Sequence, residues 1–373
     1  MRIAMLGHKR VPSREGGIEI VVEELCERMV TLGYDVTCFN RKGKHVSGGK
    51  IERINKYKGI KIKEVFTIDK KGLAAMSSSF FACIKAGVGK YDIVHIHAEG
   101  PAFFAFIPKW FGKKVVVTIH GLDRERAKWG RFASWYIKTG EKNAVRFADE
   151  IVVLSQGVKE YFLKEYGRKT QFISNGVNAP TIVEADEIKH FGLEKNNYIL
   201  YLGRIVPEKG EHYLIEAFKR IDTDKKLVIA GGSSDTSTYM NRLKKMASED
   251  ERIIFTGFVQ GKMLEELYSN ALIYCLPSDL EGMPLSLLEA MSYGNCCLTS
   301  NISECAEVVE DKAVTFEKGN VNDLKKKIER LLSHEEEIKK YKKQAADFIC
   351  TKYNWDNVVE ETIKVYKGEK ENG

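Results

Sequence analysis

Along the first half of the chain, short apolar runs alternate with segments whose apolar residues recur every three or four positions. Arg2–Leu6 is a buried-strand run. Ile18, Val21, Val22, Leu25, Met29 and Leu32 then share one helical face, and Gly33 supplies a stop. Val36–Phe39 predicts the next strand, and Ile60–Phe66, which alternates, predicts a strand at a sheet edge. Leu73–Val88 reads as a helix, and Ile93–Ile96, Val115–Ile119 and Ile151–Leu154 as buried strands with helices between them. The pattern restarts at Asn196–Gly203, a strand running into a turn. Tyr213–Ile221 follows as a helix, then Leu227–Ala230, Ile253–Phe255 and Leu272–Leu276 as strands and Pro284–Tyr293 as a helix. Asp323–Tyr366 is charged and helical, with Trp355 as a packing anchor. Strand–helix alternation predicts a doubly wound parallel sheet, here twice over.

Residues 1–178 form the first expected domain and 196–350 the second; 179–195 read as a linker, and 351–373 as a C-terminal helix and tail. A chain of 373 residues fits two such domains. Two sheets of this kind are expected to face each other across a cleft at their carboxyl ends, where ligands bind.

Charge changes the picture. Residues 1–178 carry 32 Lys and Arg against 18 Asp and Glu, a balance of +14, while the remainder is net acidic. A basic half points to an anionic partner: a phosphorylated ligand, a membrane face or nucleic acid. No nucleic-acid-reading motif accompanies it. Eight cysteines occur without a C-x-x-C pair, so neither a disulfide framework nor a metal cluster is expected. No apolar run approaches the length of a membrane span, and MRIAMLGHKR lacks a leader's features, so a cytoplasmic location is expected.

Three segments carry chemistry. In SDLEGMPLSLLEAMSYG, Pro284 suits the first helical position, which leaves the N–H groups of Leu285 and Ser286 for an anion such as a diphosphate. Gly282 permits close backbone approach, and Glu289 can accept hydrogen bonds from a ribose diol. In GRIVPEKG, Arg204 and Lys209 flank a proline turn between a strand and a helix, an Arg fork and a Lys point charge suited to phosphate. In REGGIE, Gly16 and Gly17 open the first helix. Read singly, these are also a capped helix, a solvated turn and a plain glycine turn.

Together they resemble the family-4 glycosyltransferases over essentially the full chain. The matching pieces are the glycine pair, GRIVPEKG and the E-x7-E of Glu281 and Glu289, with His120 in TIHGLD, Ser155 in VVLSQGV, Asn175-Gly176-Val177 in SNGV and Gly257 in FTGFV. The N-terminal half resembles a branch of rhamnosyltransferase-like, bacterial cell-surface polysaccharide enzymes. The resemblance implies the GT-B fold, with C-terminal helices packing back towards the N-terminal domain. It also implies a nucleotide-diphosphate sugar as co-substrate, a retaining mechanism, and neither metal nor other cofactor. Arg204, Lys209 and Gly17 would hold the diphosphate; Glu281, Gly282, Met283, Pro284, Leu285 and Ser286 would contact donor sugar and phosphate. Glu289 would bind the ribose, Gly257 to Val259 would frame the base, and His120 would reach the donor sugar. Catalysis would fall to Glu281, His120, Arg204 and Lys209. Met283-Pro284 stands where many relatives have Phe-Gly, which makes donor identity less transferable.

The acceptor is expected on the N-terminal domain. The basic balance fits a pyrophosphate-linked lipid at the inner membrane face, with Glu99, Asp123 and Arg126 as acceptor-site candidates. Phe103–Lys114 combines aromatics with lysines and reads either as a headgroup contact or as a core helix with a basic end. Two rival functions share the fold: a UDP-sugar 2-epimerase and a non-catalytic sugar-nucleotide-binding subunit.

Overall fold

The computed structural model describes residues 1–43, 53–70, 72–122, 130–232 and 237–369. The chain divides into two compact units, Met1–Asn175 with Trp355–Gly373, and Gly176–Asn354.

The first unit is built on β1 (Arg2–Leu6), β2 (Asp35–Arg41), β3 (Lys56–Tyr57), β4 (Ile60–Val65), β5 (Ile93–His97), β6 (Lys114–Ile119), β7 (Glu150–Val153) and β8 (Gln171–Phe172). Their order in the sheet is β3-β4-β2-β1-β5-β6-β7-β8. Every neighbouring pair is parallel except β3 with β4. The alternating strand at 60–65 is therefore one place in from the edge. Two-residue β3 covers it, too short to leave a periodic signal.

One face of this sheet, carrying Val94, Ile96, Val115, Val117 and Ile119, packs on Ala82, Cys83 and Ala86 of α2 (Leu73–Val88) and on Ala144 of α5 (Arg131–Phe147). Side chains alternate along a strand, so His95 and His97 lie on the other face. There the C-terminal helix α14 (Trp355–Lys367) sends Tyr366 to His95 and packs beside α1 (Gly17–Thr31). Lys114 Nζ donates to the carbonyls of Val365 and Tyr366 at 2.9 Å each, and Trp355 is buried. The expected return of C-terminal helices to the first domain is thus present for α14 alone; the helix before it, Glu335–Lys352, stays with the second unit. The return begins at Trp355, an apolar anchor beyond a highly charged stretch.

The second unit holds β9 (Tyr198–Leu202), β10 (Lys226–Ala230), β11 (Ile253–Gly257), β12 (Ile273–Leu276), β13 (Cys296–Ser300) and β14 (Val314–Phe316), in the order β11-β10-β9-β12-β13-β14. All its strand pairs are parallel. Residues 179–195, read as a linker, belong to this unit. Ile188 and Leu193 are fully buried in its core, and the Glu266 carboxylate accepts the N–H groups of Asp186 and Ile188 at 2.8 and 3.1 Å. A side chain from a distant helix orders this stretch, so it needs no periodic pattern of its own.

Each sheet has a point where the strand order reverses. In the first, β1 has β2 on one side and β5 on the other; in the second, β9 lies between β10 and β12. The loops leaving the carboxyl ends of such strand pairs diverge and open a crevice for ligands.

Candidate active site

At the switch point of the second unit, the loops after β9 and β12 carry most of the residues singled out in the sequence. After β9, Gly203 and Ile205 donate N–H bonds to the carbonyls of Ala230 and Gly232, at 3.0 and 3.1 Å. Pro207–Lys209 makes one tight turn, and Gly210, at φ +72°, leads into α7 (Glu211–Phe218). A Cβ on Gly210 would overlap the carbonyl oxygen of Pro277. The two loops therefore touch backbone to backbone, and Asp279 N–H donates to Glu208 O at 2.9 Å.

Behind this turn lies Glu211, whose importance the sequence did not signal. It is fully buried and accepts from the hydroxyls of Tyr201 at 2.8 Å and Tyr239 at 3.0 Å. Burial pushes its carboxyl up to about 7 against the opposing hydrogen bonds. Tyr201 OH also lies 3.0 Å from Arg204 O, so the cluster braces the loop from below.

Lys209 and Glu281 meet. Lys209 Nζ lies 2.5 Å from Glu281 Oε1, and Ser278 Oγ donates to the same oxygen at 2.6 Å. Their side chains are 16% and 6% exposed, so both charges are largely withdrawn from water. Ser278 is fixed in turn by Ser300 Oγ, which donates to Ser278 O at 2.5 Å. An ammonium carries three N–H donors, so Lys209 can serve Glu281 and a phosphate together.

The helix after Glu281, α10 (Leu285–Ser292), starts one residue later than expected. Pro284 is extended (φ −77°, ψ 95°) and caps the helix, its carbonyl taking the N–H groups of Leu287 and Leu288 at 3.0 and 3.2 Å. Leu285 and Ser286 still occupy the first turn, where N–H groups have no intrahelical acceptor. Tyr274 OH donates to Ser286 Oγ at 2.8 Å. Further along, Tyr268, stacked on Tyr293, donates to Glu289 Oε2 at 3.2 Å, and burial keeps its hydroxyl protonated. Gly282 and Met283 are half-buried beside them. At the end of β11, Gly257 has φ +74° and accepts Gly231 N–H at 2.8 Å, with Val259 half-buried just beyond.

The first unit places the other candidates. Gly16 caps α1 in an extended conformation and Gly17 is the exposed first residue of that helix; neither has a positive φ. His120 follows β6, with its Nε2 3.0 Å from Nδ1 of His97. Glu99, a candidate for the acceptor site, opens a short helix (Glu99–Ala102) after β5 and is only 1% exposed. Its backbone packs on Gly140 of α5, where a Cβ would overlap Glu99 O. Asp123 and Arg126 lie outside the described residues. Ser155 caps its helix, accepting Val158 N–H at 3.2 Å. In Phe103–Lys114 the two readings divide the segment: Ala105, Ile107 and Pro108 are buried, while Trp110 and Phe111 are exposed.

Among the described residues, no group of three or more His, Cys, Asp or Glu side chains could hold a metal ion. Nor is any described helix long and apolar enough to cross a membrane. All eight cysteines are free, and seven are buried.

Residues 15–179 match the family model described as Glycosyltransferase Family 4, and residues 183–348 that of Glycosyl transferases group 1. An uncharacterised glycosyltransferase of Methanocaldococcus jannaschii is 26% identical, covering 98% of both chains. An uncharacterised 41.2 kDa protein in the cps region of Klebsiella pneumoniae is 25% identical, over 95% of this chain and 97% of that one. The Escherichia coli UDP-Gal:alpha-D-GlcNAc-diphosphoundecaprenol alpha-1,3-galactosyltransferase is 32% identical over 57% of this chain and 59% of its own. In fold, the chain is similar to a sucrose-phosphate synthase from Thermosynechococcus elongatus (TM-score 0.81, 19% identity, 98% of each chain). It is equally similar to Anabaena HepE in complex with UDP and glucose (TM-score 0.81, 15% identity, 99% of this chain and 100% of that one).

Proposed function

We propose that this chain, which belongs to the two-domain (GT-B) glycosyltransferases, moves a hexosyl group from a UDP-sugar to a glycan or lipid-linked acceptor. The transfer retains anomeric configuration, uses no metal ion and serves the synthesis of a bacterial cell-surface polysaccharide. The observation that carries the reading is the Lys209–Glu281–Ser278 cluster between the Gly203–Gly210 loop and the start of α10. Breaking a sugar–phosphate bond adds about one unit of charge to the departing diphosphate, and that charge needs fixed partners. Arg204, Lys209, Gly17 and the N-terminus of α10 are the partners in this proposal, in place of a metal ion. Hydrogen bonds to charged groups contribute roughly 1.5–3 kcal/mol each. Three that tighten in the transition state lower the barrier enough for several orders of magnitude in rate. Glu281 and His120 contact the donor sugar, Glu289 its ribose, and Gly257 to Val259 the base. The acceptor hydroxyl attacks the face from which the diphosphate leaves, and a phosphate oxygen takes its proton.

The choice of UDP and of a lipid-linked acceptor follows the printed name of the Escherichia coli relative, and the polysaccharide role follows the cps-region relative. The test is turnover of UDP-, GDP- and dTDP-sugars by the full chain, with and without EDTA, and NMR of the product's anomeric proton. A UDP-sugar consumed only with acceptor, unaffected by EDTA and giving the donor's anomer, is the expected result. Isomerisation of the sugar nucleotide without acceptor means an epimerase, and binding without turnover a silent subunit.

A lipid-linked acceptor places the enzyme at a bilayer, and α5 has the surface for it. Arg131, Trp135, Lys138, Lys142 and Arg146 form one exposed stripe, with Phe132 (66% exposed) beside it, and the helix's single acid, Glu141, is buried. Cations with exposed aromatic rings suit an anionic headgroup layer. The triple charge reversal Lys138→Glu, Lys142→Glu, Arg146→Glu removes three cations worth about 1 kcal/mol each near such a surface. Flotation with phosphatidylglycerol vesicles is expected to weaken roughly hundredfold or more. Unchanged flotation excludes this face.

A further inference from the structure

Four imidazoles collect at the switch point of the first unit, and only one of them, His120, entered the reading above. His8 follows β1, His95 and His97 end β5, and His120 follows β6. The rings of His95 and His97 lie 4.2 Å apart at 30°, and those of His97 and His120 5.2 Å apart at 32°. His95 is pinned at both nitrogens, by Tyr366 OH of α14 at 2.6 Å and Thr118 Oγ1 at 2.7 Å. Its ring is the floor on which His97 rests.

Two protons in this group can be placed, one from hydrogen bonds and one from burial. Asn40 Nδ2 donates to Val11 O at 2.9 Å, and Asn40 Oδ1 accepts Val11 N–H at 3.0 Å, which fixes that amide's orientation. His8 Nε2, 3.1 Å from the same Oδ1, must therefore carry the hydrogen. His8 Nδ1 is a bare lone pair, buried and without a partner among the described residues. For His97, burial decides. It is fully buried, and its Nε2 has no hydrogen-bond partner among the described residues. A buried N–H left without an acceptor is rarer and costlier than a lone pair left without a donor. The His97 proton therefore sits on Nδ1, aimed at His120 Nε2, 3.0 Å away.

We infer that His97 is a positioning residue that sets the tautomer of His120: by donating from Nδ1 to His120 Nε2, it obliges His120 to carry its own proton on Nδ1, as a neutral donor. This inference rests on the reading of His120 as a donor-sugar contact, for which it specifies a hydrogen bond given to a sugar oxygen. Protonating His120 would force His97 to surrender its Nδ1 hydrogen and to bury an orphan N–H at Nε2. The pair thus resists an imidazolium. The titratable groups acting on His97 are His95 on its own strand, His120 beyond β6 and His8 beyond β1, with Tyr366 reaching in from α14 through His95. Burial, and then these neighbours, hold His97 well below the usual histidine range. His95 is lowered to about 3 and His8 to about 4.

The test is two-bond proton–nitrogen NMR of the full chain with 15N-labelled histidine, assigned by single-site variants. His120 is expected to show a protonated Nδ1 and a bare Nε2 at neutral pH. In His97→Asn the side-chain amide can replace the Nδ1 donor, so His120 keeps its tautomer. In His97→Asp an acceptor replaces the donor, so the His120 proton moves to Nε2 and its titration moves to higher pH. In parallel, kcat/KM for the sugar nucleotide is expected to stay near normal in His97→Asn. It should fall about tenfold in His97→Asp, with the acid limb of the pH profile displaced upward. A protonated Nε2 on wild-type His120, or the same His120 tautomer in the Asn and Asp variants, overturns the inference. The spectra decide it even if no sugar nucleotide is turned over, so it can fail while the transferase reading stands, and the reverse.

Discussion

Lys209→Ala is expected to lower kcat about 10²–10³-fold, the cost of removing one preorganised donor to a developing oxyanion. The structure requires that this be separated from a loss of stability. Lys209 pairs with Glu281 at 2.5 Å, where both side chains are mostly buried. Removing the ammonium strands the Glu281 carboxylate with Ser278 as its remaining described partner, and breaking a buried pair costs about 3–5 kcal/mol. A double-mutant cycle resolves the two effects. Glu281→Gln removes the charge that is stranded, so Lys209→Ala/Glu281→Gln should melt closer to wild type than Lys209→Ala alone. Turnover should not recover with it and should stay well below that of Glu281→Gln alone, because the diphosphate still lacks its cation. If the double variant regains both stability and rate, Lys209 serves only to neutralise Glu281, and the diphosphate reading of GRIVPEKG is wrong.

That pairing also marks where the sequence stops being legible. GRIVPEKG and EGMPLSLLE each announce a loop between a strand and a helix, because glycine, proline and charge at those places have few other uses. Nothing in their spacing says that Lys209 and Glu281 touch; they are 72 residues apart, and the contact exists because β12 adds beside β9. The apolar runs of β1, β5, β6, β9, β10 and β12 are buried on both faces, and such strands are legible as near-continuous hydrophobic stretches. Strand β13 was not. Its Thr299 and Ser300 are fully buried but satisfied by the carbonyls of Leu276 and Ser278, so polar residues occupy core positions without a penalty. Glu211 is hidden for a related reason. A glutamate after a glycine reads as a first-turn helix residue, and only Tyr201 and Tyr239 reveal it as the brace beneath the Arg204 turn. The histidine column did leave a signal: in Ile93–His97 (IVHIH) polar rings alternate with apolar residues inside a strand that is otherwise core.

Gly210→Ala is expected to have the second large effect, because it acts on both loops together. Gly210 holds φ at +72°, where an L-residue costs roughly 1–2 kcal/mol. Its added Cβ would also overlap the Pro277 carbonyl oxygen, a backbone atom that cannot rotate away. Pro277 follows directly on β12 and precedes Ser278, whose carbonyl is tied to Ser300. The strand side of the contact is therefore the stiff one, and the Gly203–Gly210 loop must yield. Overpacking of this kind adds about 1–3 kcal/mol. The melting temperature should fall by roughly 2–4 °C for each kcal/mol lost. The loop's withdrawal should carry Lys209 away from Glu281 and weaken the Asp279-to-Glu208 backbone bond. Donor affinity should then fall together with kcat, whereas Lys209→Ala should act chiefly on kcat. Gly210→Asn is the control, since asparagine tolerates the left-handed conformation but brings the same Cβ. If it behaves like wild type, strain alone was at issue. If it fails as Gly210→Ala does, the contact with Pro277 sets the spacing of the two loops.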